Sequence, residues 1–107
     1  MADRSFNQDN RLGTEISTSK VMTITASATL VSGKRKRTSI YIRNVGTDGS
    51  RISLSFSNTD TPADGTGIVL NQNEFIIDSN SEGYKCWSGD IKAISSTANG
   101  SIVVVER

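Results

Sequence analysis

The stretch "RISLSFS", residues 51–57, alternates after its arginine between apolar residues and serines. On an extended strand Ile52, Leu54 and Phe56 point to one side, and the serines between them point to the other. A strand with one apolar and one polar face is typical of an antiparallel sheet that covers a core on one side only. The stretch therefore predicts antiparallel β-structure with a solvated outer face.

Similar short runs lie on both sides of this stretch. Residues 20–31, "KVMTITASATLV", are long enough for one bent strand or two short ones, and residues 37–44, "RTSIYIRN", alternate again. Turn signals separate the runs, among them Asn99-Gly100, a pair that favours a tight turn. Strands at this spacing without an amphipathic helix predict an all-β fold, either a single antiparallel β-sandwich or a small jelly-roll-like barrel. Four further runs complete the set: "TGIVLN", "EFIID", "DIKAIS" and "SIVVVE".

The chain of 107 residues suits one domain with an extended N-terminal arm. Residues 1–19 are polar and irregular, with Phe6, Leu12 and Ile16 as isolated apolar points. We expect an arm there that is either flexible or bound to a partner, and a β-sandwich domain over residues 20–107. Both interpretations of the arm stay open, a loose terminus and a segment that orders against a neighbouring subunit.

The residue types that support most catalysis and metal binding are scarce. The chain has no histidine, the commonest general base, and one cysteine, which excludes an internal disulfide and a cysteine-based zinc set. The turn "DTPADG", residues 60–65, has Pro62 at the third place of a calcium loop and Asn71 at the twelfth, where ligands are needed. We therefore expect a protein that is no enzyme and has no catalytic residues, no metal site and no cofactor.

The N-terminal stretch "MADRSFNQDNRLG" lacks the apolar core of a secretory signal, and no apolar run has the length of a membrane span. We expect a protein that is made and used without export and has no membrane partner.

Four consecutive cations, Lys34 to Arg37, stand in front of an alternating run. From Lys34 to Arg51 the chain carries six cations and one acid, a local net charge of +5 in a chain of net charge +1. If the strands on either side of the glycine-containing turn 45–50 pair as a hairpin, Arg37, Arg43 and Arg51 lie close together as a positive patch.

Three interpretations of this basic segment are open. Consecutive cations solvate a loop and discourage pairing at a strand edge, or they dock on an acidic protein surface. Nucleic-acid binding ranks third, because Tyr41 is the only ring nearby and the whole-chain charge is close to neutral.

Two of the six aromatic residues, Tyr84 and Trp87, lie in the irregular stretch 81–90. They either close one end of a thin core or form an exposed contact for a partner or a sugar.

The order of the runs resembles that of a group of small structural proteins of tailed bacteriophages. Their pattern runs Arg-x-x-Ile-x-Ile-x-Asn-x-Gly, then an alternating strand, then Gly-x-Gly-Ile-x-Leu, then aromatic-x-Gly-x-Ile-x-Ala-Ile. The resemblance covers residues 37–107, with one departure after Leu70, where such proteins often carry Pro-Gly and this chain has "NQN". The matching segments are "RTSIYIRNVG" (37–46), "ISLSFS" (52–57), "ADGTGIVLNQNE" (63–74) and "WSGDIKAISSTANGSIVVVER" (87–107).

The resemblance implies a virion structural protein, most specifically a capsid decoration or cement protein that binds and stabilises the assembled head shell. It implies the major capsid protein or other virion proteins as partners, a homo-oligomer with a trimer expected by analogy, and location in the virion after assembly in the host cytoplasm. The alternatives are a tail or fibre-associated component and a small β-barrel nucleic-acid-binding module using residues 34–37. The candidate partner-binding residues are Lys34, Arg35, Lys36, Arg37, Tyr84, Trp87, Phe6, Leu12 and Ile16.

Overall fold

The computed structural model describes residues 18–107, which form eight strands in two antiparallel sheets. Sheet A has the strand order β1-β8-β3-β6, and sheet B has the order β2-β7-β4-β5. Within the described residues there is no α-helix, so the prediction of an all-β fold with antiparallel strands is confirmed. The strands are β1 (Thr18–Ile24), β2 (Thr29–Ser32), β3 (Ser39–Asn44), β4 (Ile52–Phe56), β5 (Ile68–Leu70), β6 (Phe75–Ser79), β7 (Ile91–Ser95) and β8 (Gly100–Glu106).

The chain crosses from one sheet to the other at nearly every turn. In the described part of the chain, β4 and β5 are the one pair of consecutive strands that also pair with each other. The hairpin considered for β3 and β4 does not form, because β3 lies in sheet A and β4 in sheet B. Alternation shows which side of a strand is buried, and the buried sides of these two strands meet across the core instead of lying side by side.

One hydrophobic core lies between the sheets and takes side chains from both. In β4, Ile52 and Leu54 point into it as expected, and each fully buried aliphatic side chain contributes about 1.5–3 kcal/mol. Ser53, expected on a solvated face, is instead fully buried, because the loop 57–67 folds over it and Gly65 N donates to its Oγ at 2.9 Å. The core residues are Ile24, Val31, Ile40, Ile42, Ile52, Leu54, Leu70, Cys86, Ile91, Ala93, Ile102 and Val104.

The "NQN" link between β5 and β6 makes its turn without a glycine. Asn73 has a φ of 68°, in the left-handed region that asparagine tolerates better than most residues. Its N–H donates to Asn44 O at 2.9 Å, and Asn71 N donates to the Glu74 carboxylate at 2.7 Å. Asparagine therefore supplies here the backbone conformation for which glycine is the usual choice.

The first strand begins slightly earlier than the sequence indicated. Thr18 and Ser19, which were expected in the arm, belong to β1 and pair with Glu106 and Val105 of β8. Residues 1–17, including Phe6, Leu12 and Ile16 of the expected arm, lie outside the described residues.

Candidate functional site

The last cation of the basic segment, Arg37, points into the protein. Its side chain is 0 % exposed, and its Nε donates to the Glu106 carboxylate at 2.9 Å. Nη1 donates to the carbonyls of Trp87 and Gly89, and Nη2 donates to Ser32 Oγ and the Gly33 carbonyl. All five guanidinium N–H groups are thus used inside the fold. The expectation that Arg37 is offered to a partner is corrected, because its donors already join both sheets and two loops.

The three cations before Arg37 remain at the surface. Arg35 contacts the same Glu106 carboxylate at 3.2 Å, but its side chain is 52 % exposed. Lys34 and Lys36 are exposed, and Lys34 is held by its backbone N–H, which donates to Asp90 at 2.8 Å. The part of the basic segment that faces solvent is therefore residues 34–36.

The other two arginines of the predicted patch do not join this segment. Arg51 forms a two-point contact with Asp64, its Nε and Nη2 lying 2.9 and 2.8 Å from the two carboxylate oxygens. Arg43 lies in the middle of sheet A, between Val103 of β8 and Phe75 of β6. The prediction of a concentrated positive patch is wrong, because Arg37 is buried, Arg43 lies in β3 of sheet A, and Arg51 precedes β4 of sheet B and pairs with Asp64.

Tyr84 and Trp87 are brought together at one edge of the molecule. They line an open groove of about 400 Å³, whose apolar walls come from strands of both sheets. Trp87 is partly buried against the core and its Nε1 donates to Asp90 O at 2.9 Å, whereas the Tyr84 ring is half-exposed. The remaining lining residues are Phe56, Ile68, Ile76, Ile77 and Asp78.

The carboxylate in this groove is already engaged. Asp78 accepts a hydrogen bond from the Tyr84 hydroxyl on one oxygen and from Trp87 N, at 2.8 Å, on the other. The first of these bonds raises the pKa of Tyr84 above its ordinary value. Sugar-binding sites combine an aromatic ring with polar groups that are free to form hydrogen bonds to the sugar. Because this groove is apolar and its carboxylate is already hydrogen-bonded, it suits an aliphatic or aromatic side chain better than a sugar.

Cys86 is buried next to Trp87, and its Sγ lies 3.4 Å from the Asp78 carbonyl oxygen. Burial, with a smaller effect of Asp78, raises the pKa of its thiol from 9.0 to about 11. A thiolate is the reactive form of cysteine, so this side chain is a poor nucleophile at neutral pH.

The same shift predicts a loss of stability in alkali. The folded chain disfavours the thiolate and the unfolded chain does not, so the stabilisation from Cys86 is complete below about pH 9 and is lost as the pH rises towards about 11. We expect the urea midpoint to fall more steeply over this range in the wild type than in Cys86→Ala. If the urea midpoints of the wild type and of Cys86→Ala fall in parallel as the pH rises, the raised pKa of Cys86 is contradicted.

A second cluster of polar groups joins the turn between β3 and β4 to the turn between β7 and β8. Asp48 accepts hydrogen bonds from the hydroxyls of Ser50 and Thr97, and these bonds lower the pKa of its carboxyl. The cluster fixes the shape of the turn between β3 and β4.

The surface that sequence reasoning missed is the outer side of sheet A. Val21 is 71 % exposed and Ile77 is 58 % exposed, and the rings of Tyr41 and Phe75 lie 5.4 Å apart. The pairing register aligns these side chains across all four strands, with Arg43 among them. We call this surface the outer apolar face; its residues are Val21, Tyr41, Phe75, Ile77, Val103 and Val105.

A signal for this face was present in the sequence. The runs "FII" (75–77) and "IVVV" (102–105) are apolar at successive positions, and a strand with successive apolar residues has apolar side chains on both sides. Each run predicts a strand, and its second apolar side predicts a surface that needs a further contact.

Residues 18–107 contain no group of three or more Cys, Asp or Glu side chains placed to hold a metal ion. In the same part of the chain, no helix is long and apolar enough to cross a membrane. No protein-family model matches the chain, and no curated protein and no solved structure matches it either.

Proposed function

We propose that this chain is a non-enzymatic structural protein of a tailed-bacteriophage virion, most specifically a β-sandwich decoration protein that binds the assembled head shell. The observation that carries a binding role is the outer apolar face. Folded monomers rarely expose a contiguous apolar patch of this kind unless it is an interaction site. The order of the strand motifs from residue 37 to residue 107 favours the virion over other assemblies.

The outer apolar face suits a protein partner in both shape and chemistry. Its side chains stand on four hydrogen-bonded strands, so they are held rigidly and lose little freedom on binding. Tyr41 and Phe75 supply the aromatic contacts that dominate many interfaces, and Arg43 adds one cation that a carboxylate on the partner would satisfy.

The exposed cations 34–36 supply a second contact with an acidic lattice. Lys34 and Lys36 project from a segment whose backbone is fixed by hydrogen bonds from Lys34 to Asp90 and from Arg35 to Ser88. Contacts of modest strength suffice for a shell protein, because many copies bind a repeating surface. A ligand that binds only the assembled shell also stabilises it by linkage.

The test is the composition of particles of the phage that encodes the chain. We expect the protein in gradient-purified particles at a copy number comparable to that of the major capsid protein, with added density on the head in electron micrographs. Density on the tail would favour the tail or fibre alternative, and absence from purified particles would overturn the proposal. Salt-dependent binding of DNA by the free protein would favour the nucleic-acid module instead.

Two matched variants locate the contact. Val21→Asp places a charge on the outer apolar face, and Leu30→Asp places the same charge on an exposed apolar position of β2 in sheet B. We expect Val21→Asp to reduce the amount retained on particles at least tenfold and Leu30→Asp to leave it unchanged. Equal retention of the two variants would exclude sheet A as the binding surface.

A further inference from the structure

Strand β6 ends sheet A with apolar side chains on both of its sides. Among residues 18–107 it pairs with β3 and with no other strand. Phe75 and Ile77 are exposed on the outer side, and Ile76 lines the groove on the inner side. Exposed edges are usually blunted by lysine, proline or a bulge, because an open edge recruits another strand. The first three residues of β6, 75–77, carry none of these protections, and the one charge of the strand is Asp78, near its end.

The backbone of β6 offers hydrogen bonds to such a strand. Asn44 N donates to Glu74 O at 3.0 Å, and Asn80 N donates to Thr38 O at 2.8 Å, so the even-numbered residues of β6 bond to β3. In an antiparallel pair, the residues between them point their N–H and C=O groups the other way. The backbone groups of Phe75 and Ile77 therefore face the open edge.

The groove lies directly beside this edge. It opens between β6 of sheet A and the strands β4 and β5 of sheet B, and its walls include Phe56, Ile68 and Trp87. A strand added to β6 would send alternate side chains into the groove and the others towards Phe75 and Ile77. The site thus favours an extended segment whose large apolar side chains all lie on the same side.

We propose that residues 1–17 of a second copy of the chain pair with the open edge of β6. In an extended segment, side chains at even positions share one side, and Phe6, Leu12 and Ile16 are all even-numbered. Asp3, Asp9 and Glu15 are all odd-numbered and fall on the opposite side. The apolar side of the segment fits the groove, and its acidic side faces away from the core. This contact between copies deepens the proposed function, on which it rests.

The reach of the segment and the direction of β6 favour a second copy. Seventeen extended residues reach about 56 Å, whereas three strand spacings, about 14 Å, separate β1 from β6. Within one copy, however, the register places Thr18 beside Glu106, Ile40 and Asp78, so a segment returning along β6 would run parallel to it. Antiparallel pairing is slightly more stable and is the arrangement of every pair in both sheets.

Proline substitutions at the two edges of sheet A test the receiving strand. Ile77→Pro removes an N–H that faces the open edge, a position where proline is tolerated, and leaves the bonds to β3 in place. Val21→Pro is the matched control, because the same alternation points Val21 N–H away from β8 on the opposite edge. By light scattering, we expect the wild type and Val21→Pro to be oligomers and Ile77→Pro to have the mass of a single chain.

Substitutions in the segment test the occupant in the full chain. Leu12→Asp should dissociate the oligomer as Ile77→Pro does, whereas Asn7→Asp, with the same change in charge at an odd-numbered position on the opposite side, should not. Trp87, the single tryptophan, lines the groove and reports its occupancy, so its emission should shift to longer wavelength in the two dissociated proteins only. Circular dichroism confirms that each variant is folded. A monomeric wild type, or equal masses for Ile77→Pro and Val21→Pro, would overturn the inference without bearing on whether particles contain the protein.

Discussion

Replacing Arg37 with alanine is expected to lower the free energy of unfolding by about 3–5 kcal/mol, the usual cost of removing one partner from a buried ion pair. The guanidinium is fully buried and gives hydrogen bonds to the Glu106 carboxylate, Ser32 Oγ and three carbonyls. Removing it takes one hydrogen-bond donor away from each of these groups in a buried site. Urea unfolding followed by Trp87 fluorescence measures the loss.

Arg35 provides the matched control for this prediction. It contacts the same Glu106 carboxylate, at 3.2 Å, but its side chain is half-exposed, and surface pairs contribute at most about 1 kcal/mol. We expect Arg35→Ala to cost less than about 1 kcal/mol and the double variant Arg37→Ala/Glu106→Ala to cost less than the sum of its single variants. Equal losses for Arg35→Ala and Arg37→Ala would show that the buried network does not stabilise the fold.

Asn44→Ala is expected to have the second largest effect, a loss of about 2–4 kcal/mol. The Asn44 side chain is fully buried at the end of β3. Its Nδ2 donates to Ser50 O at 2.8 Å and to Leu70 O at 3.0 Å, and its Oδ1 accepts from Gly46 N at 3.0 Å. One amide thus ties sheet A to β5 of sheet B and closes the turn after β3.

Asn58→Ala is the control for Asn44→Ala. Asn58 is exposed, and its Oδ1 accepts one hydrogen bond from Asp90 N at 2.8 Å. We expect this variant to cost less than about 1 kcal/mol, because water can replace the lost partner. If urea midpoints for the two variants coincide, the buried amide is not a link between the sheets.

The strands were predictable because the two-residue period depends only on neighbouring residues. "RISLSFS" correctly indicated which side of β4 holds Ile52 and Leu54. Strand pairing was not predictable in the same way, since the same alternation fits a neighbour in one sheet or a partner across the core. The hairpin of β3 and β4 was inferred from closeness in sequence, and the chain crosses to the other sheet at that turn.

The candidate site was only partly visible in the sequence. Nothing local distinguishes Arg37 from the three cations before it, because its burial depends on Glu106, 69 residues further along the chain. Tyr84 and Trp87 could be singled out by residue type, but the groove that they share is formed by strands of both sheets. Those contacts require the complete fold, so short-range patterns contain no trace of them.

The place of β8 in sheet A has a consequence for synthesis. This strand lies between β1 and β3 and pairs with both, so sheet A is not a continuous hydrogen-bonded sheet until β8 is present. The chain must therefore leave the ribosome almost to Glu106 before β1 and β3 gain their partner. Pairings between such distant residues also slow folding to milliseconds or longer. During that interval the apolar strands are open to solvent, and a nascent chain halted before β8 is the species that chaperones or proteases would meet.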